Sequence, residues 1–186
     1  MPLIAAIGFA LATVATDTTI VLAETNRDLT GDGKPELLRL VGVGRTIDEL
    51  DVTFMITSEG RVLYQMRFVP ITRRIGFDAT RRMRTAAQHR AHLAEYRTNF
   101  FAELKFKSPA GFVEDLRTSA EAHARQIPAV VASDRPPSET RTGNEIWDEI
   151  SGAPIIVFTF SPGGDRMMAL GWSNRGGRFY SLIDCC

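Results

Sequence analysis

Apolar and polar residues alternate along the two ends of this chain and repeat at helical spacing in the middle. Residues 18–23 (Thr-Thr-Ile-Val-Leu-Ala) are rich in β-branched side chains, which are stiff at χ1 and sit well on a pleated strand. Residues 37–43 (Leu-Leu-Arg-Leu-Val-Gly-Val) predict a second strand. Residues 52–57 alternate with period two, Ser58-Glu59-Gly60 supplies a turn, and residues 62–68 carry the alternation back. That pattern predicts an antiparallel meander with one face on a core.

Pro70 and the stretch 73–78 break the alternation. From Ala79 to about Phe106 there is no Pro or Gly, and Met83, Ala87, Ala94, Phe101 and Leu104 keep helical spacing. This predicts a long helix with those residues as its buried stripe. Ser108-Pro109 reads as an N-cap followed by Pro at the first helical position, and the helix it opens runs to about Gln126. Pro136-Pro137 is a stiff linker, and residues 142–150 predict a third, short helix ending at Gly152. Residues 155–160, 167–172 and 178–183 return to strand composition around Gly-containing turns at 161–165 and 173–177. Meander, helices, meander predicts an α+β fold: one antiparallel sheet of about seven strands with two to three helices over one face.

A length of 186 residues with 44% apolar content suits one domain with a full core. The first 15 residues are apolar, rich in small side chains and uncharged, and Ala10-Leu11-Ala12 and Thr13-Val14-Ala15 are small-x-small patterns. They predict a cleaved signal peptide over 1–15 and a mature domain over 16–186, hence a secreted or periplasmic location. The departure from that pattern is the absence of Lys or Arg after Met1; a buried N-terminal strand or helix is the other reading. The segment is shorter than the roughly 20 residues a spanning helix needs, and no other run approaches that length, so no transmembrane segment is expected.

Lys+Arg and Asp+Glu both total 22, which implies no polyanionic partner. The balance hides a basic middle: residues 1–70 carry net −3, residues 71–130 net +5 and residues 131–186 net −2. Arg73, Arg74, Arg81, Arg82 and Arg84 gather where the long helix should start, and positive charge there opposes the helix dipole. The cluster fits an acidic protein or an anionic surface; solvation, or counter-charges from the Asp48–Asp51 loop, explains it equally well. No aromatics interleave it, which argues against single-stranded nucleic acid.

The densest chemistry lies in Asp28-Leu-Thr-Gly-Asp-Gly-Lys-Pro-Glu36. Oxygen side chains fall at alternate positions (Asp28, Thr30, Asp32), a glycine follows, and Glu36 closes the run. Hard divalent cations such as Ca²⁺ take six to eight oxygens, and a tight acidic loop supplies them. The expected ligands are the side chains of Asp28, Thr30, Asp32 and Glu36 and the backbone carbonyl of Lys34. Three carboxylates against a doubly charged ion suggest moderate affinity, suited to extracytoplasmic Ca²⁺. Asp and Gly chosen for turn chemistry alone is the other reading.

This nine-residue stretch resembles the Asp-x-[Asp/Asn]-x-Asp-Gly-x-x-[Asp/Glu] loops of FG-GAP and VCBS-type repeats, and more distantly those of dockerins and EF-hands. The resemblance implies a Ca²⁺ ion held by Asp28, Thr30, Asp32 and Glu36. Thr30 stands where those loops carry Asp or Asn. Arg39 occupies the position of the bidentate EF-hand Glu, and the loop occurs once, which excludes a propeller of such repeats. In outline the rest of the chain is similar to small secreted bacterial proteins of unassigned function, a resemblance that implies no activity.

Other candidates are sparser. His89 and His92 are three apart on the long helix, a spacing that fits a soft metal, although Arg90 and Arg97 oppose a cation. His123 stands alone. Cys185 and Cys186 are adjacent, where a bridge is strained; they could cap to small thiols, link two chains, or pack as a strand end. No Ser-His-Asp elbow or Gly-rich phosphate loop is present. The leading expectation is a binding or structural protein with one structural Ca²⁺ hairpin. The alternative is an extracytoplasmic hydrolase drawing on carboxylates such as Asp48, Glu49 and Asp51, which would have to converge in one cleft.

Overall fold

The first meander folds as predicted and its strands run longer. In the computed structural model, which describes residues 18–44, 51–68, 85–118, 130–132, 135–163 and 166–185, β1 (Thr18–Arg27), β2 (Glu36–Gly44), β3 (Asp51–Ser58) and β4 (Arg61–Phe68) form an antiparallel sheet in that order. The second sheet is also antiparallel, with β5 (Phe106–Lys107), β6 (Val157–Gly163), β7 (Arg166–Ser173) and β8 (Arg178–Cys185) in sequence order. Three helices complete the described residues: α1 (Ala86–Phe100), α2 (Pro109–Thr118) and α3 (Gly143–Ser151). The class is α+β.

The strands do not form one sheet of about seven; they form two sheets of four. Each meander carries its own apolar face. Leu38, Leu40, Val52, Phe54 and Ile56 of the first and Phe158, Phe160, Met168, Leu170 and Phe179 of the second belong to one buried cluster. Two such faces bury each other as a sandwich, whereas edge-to-edge joining would leave both wet. The eighth strand is β5, where Phe106 pairs with Phe158. It lies at the end of the predicted long helix, which stops instead at Phe100 and passes through a 3-10 turn at Glu103–Lys105.

Aromatic rings dominate the sandwich interior. The Phe54 ring centre lies 5.2 Å from Phe160 and 5.5 Å from both Phe100 and Phe158, spacings at which rings gain beyond area burial alone. Phe100 brings α1 into this layer. Tyr96 donates its hydroxyl to the Ser161 carbonyl at 3.2 Å, and Arg97 donates to the Leu22 carbonyl. Burial pushes the Tyr96 phenol well above its ordinary pKa. The stripe expected on this helix is met at Phe101, the C-cap, which packs on the core beside Phe54 and Phe100, and is displaced elsewhere. Ala87 and Ala94 are exposed, Leu104 lies beyond the helix at 68% exposure, and Tyr96 and Phe100 face the core. Met83 falls outside the described residues.

The outer face of the second sheet is covered as well. Val157, Ala169, Tyr180 and Leu182 pack with Phe112 and Leu116 of α2 and Ile146, Trp147 and Ile150 of α3. The Ser108 hydroxyl accepts the Gly111 amide at 3.1 Å, and Thr142 with Glu145 forms a capping box on α3. The layers are thus sheet, sheet, helices. No helix among the described residues is long and apolar enough to cross a membrane. Residues 1–15, the Arg73–Arg84 cluster, the continuation of α2 towards Gln126, and Cys186 lie outside the described residues.

Candidate metal centre

The acidic loop closes the β1–β2 hairpin, whose last pair is Arg27 with Glu36. Its backbone is folded around its own carboxylates. One Asp28 oxygen accepts the Gly31 amide at 2.7 Å, and the other accepts the Gly33 amide at 2.8 Å. Asp32 accepts the Lys34 amide at 2.8 Å. Gly31 and Gly33 have φ of +74° and +83°, the left-handed region that glycine enters without a Cβ clash.

Glu36 is the buried member, 1% exposed. A carboxylate taken from water needs hydrogen bonds in return. Its oxygens receive the Leu29 amide at 2.7 Å and the Thr30 hydroxyl at 3.0 Å. Oxygens of Asp28, Asp32 and Glu36 all lie within 4.8 Å of one another. Among the described residues this is the one place where three metal-ligating side chains gather.

Thr30 thus sits in the cluster with its hydroxyl turned to Glu36. Lys34 turns its ammonium away, to Glu59 in the β3–β4 turn at 2.7 Å. Hydrogen bonding and charge in that pair raise the Lys34 pKa and lower that of Glu59; both ends are exposed, so the pair adds little stability. With Lys34 engaged elsewhere, the backbone amides of Leu29, Gly31, Gly33 and Lys34 are what face the three carboxylates.

The loop is also anchored from outside. Leu29 is fully buried in the sandwich core, and its carbonyl accepts the Ile156 amide at 3.4 Å. A Cβ on Gly31 would stand 2.6 Å from the Pro154 carbonyl oxygen. The loop therefore rests on the segment that joins α3 to β6.

A second polar cluster was not foreseen from the sequence. Arg141 grips Glu139 with Nε at 2.9 Å from one carboxylate oxygen and an Nη at 2.6 Å from the other. It also pairs with Glu149 of α3. The Tyr180 hydroxyl donates to Glu139 at 2.8 Å, and Ser173, fully buried, donates to Glu149 at 3.0 Å. The bonds from Arg141, then the one from Tyr180, hold Glu139 down to about 2. The Glu139 bonds hold Arg141 up, and burial followed by the bond to Glu139 raises Tyr180. Both acids are engaged by Arg141 and by hydroxyls of the second sheet, so the cluster fastens α3 and the segment before it to β7 and β8. Glu139 and Tyr180 are 41 positions apart in the chain, a separation no local pattern announces.

Of the remaining candidates, Asp51 pairs with Arg67 on the first sheet, while Asp48 and Glu49 fall outside the described residues. His89 and His92 belong to α1 and Cys185 ends β8; their side chains, like His123, lie outside the description. No protein-family model, curated protein or solved structure matches this chain.

Proposed function

We propose that the Asp28–Glu36 loop binds one Ca²⁺ ion and that the ion serves a structural role in a secreted or periplasmic binding protein. The observation that carries the reading is the gathering of Asp28, Asp32 and Glu36 oxygens within 4.8 Å. Three like charges at that spacing repel, and a divalent cation among them converts the repulsion into coordination. In this reading the Lys34 carbonyl, the Thr30 hydroxyl and solvent complete the shell. The loop rests on the α3–β6 segment, so the ion would stiffen the junction between the two sheets. The secreted or periplasmic location rests on the apolar first 15 residues and on the moderate affinity of such loops, which suits Ca²⁺-rich fluid. No described carboxylates outside the loop converge in a cleft, so no observation here favours the hydrolase.

The test is thermal unfolding with Ca²⁺ and with chelator. Ca²⁺ is expected to raise the melting temperature of the wild type and to leave Asp28→Ala/Asp32→Ala unmoved. Superimposable wild-type curves would refute the site. Location is tested separately by the N-terminal residue of the exported protein, and an intact Met1 on cytosolic material overturns export.

A further inference from the structure

We draw no further inference here: the strongest candidate, the apolar corner of the first sheet where Ile20 and Val21 of β1 and Val43 of β2 are exposed at the end away from the acidic loop, carries nothing because nothing in the structure shows what covers it.

Discussion

The amide of Ile156 donates to the carbonyl of Leu29 across 3.4 Å, which fastens the acidic loop of the first sheet to the chain entering the second. A hairpin tip is usually free to vary. This one is held at Leu29 by burial and at Gly31 by the Pro154 carbonyl, and its two left-handed glycines therefore differ in consequence.

Gly33→Ala should cost about 1 kcal/mol, the penalty of an L side chain at positive φ, because nothing lies within 4 Å of the added Cβ. Gly31→Ala carries the same backbone penalty and also drives a methyl against the Pro154 carbonyl, so about 3 kcal/mol is expected. Urea unfolding of both variants in chelator measures the difference. Equal midpoints would show that the loop does not bear on Pro154.

Glu36 and Asp32 should separate structural work from ion binding. Glu36→Ala leaves the buried Leu29 amide and Thr30 hydroxyl without their acceptor. It is expected to destabilise the protein by about 2–4 kcal/mol even in chelator. Asp32 is exposed and accepts only a local amide. Asp32→Ala should change stability in chelator by less than about 1 kcal/mol and should remove most of the Ca²⁺-dependent rise in melting temperature. A full Ca²⁺ response in Asp32→Ala would exclude Asp32 as a ligand.

Acid should loosen the attachment of α3. Glu139 in the folded protein is held down to about 2, against an ordinary 4.5. Above about pH 4.5 both folded and unfolded forms are ionised and the contribution is complete. Between about pH 4.5 and 2 the unfolded carboxylate binds its proton first, so stability falls as pH falls. Glu139→Gln should be less stable than the wild type at neutral pH and should show a shallower loss of melting temperature over that window. Parallel pH profiles for the two proteins would remove Glu139 from the account.

Phe54 touches the rings of Tyr64, Phe100, Phe158 and Phe160 and is fully buried. Phe54→Ala should cost about 3–5 kcal/mol through lost transfer energy and the cavity left among those rings. Phe106, stacked on Phe158 at 4.8 Å at the sheet margin but only half-buried, should cost less. Denaturant unfolding ranks the two.

The strands were legible because period-two alternation depends only on neighbours. β3 and β4, with the Ser58-Glu59-Gly60 turn between them, lie within a residue of where alternation puts them. The cap at Ser108 was legible for the same local reason, whereas position 142 reads only as the start of a helix and its capping box with Glu145 was not legible. The grouping into two sheets was not, because alternation shows that a strand has an apolar face without showing what lies opposite. The stripe on α1 held only at its end, at Phe101, because that helix buries little beyond Tyr96, Phe100 and this C-cap, so alanines at helical spacing carried no information about the core. In the acidic loop, spacing brought out Asp28, Asp32 and Glu36 as a group. The turn of Thr30 towards Glu36 and of Lys34 towards Glu59 depends on the hairpin's neighbours. The Glu139–Tyr180 bond was out of reach because its partners meet only once the second sheet is in place.

Each sheet is drawn from its own continuous reach of chain: the first is complete at Phe68, and the second does not begin until Phe106. During synthesis from the ribosome, the first four strands can therefore pair before any of their facing layer has emerged. Phe54 and its neighbours then wait uncovered while roughly the last hundred residues are made, since domains form from the N-terminal end onward. Slowing the translation of the second half should lengthen that interval of exposed apolar surface.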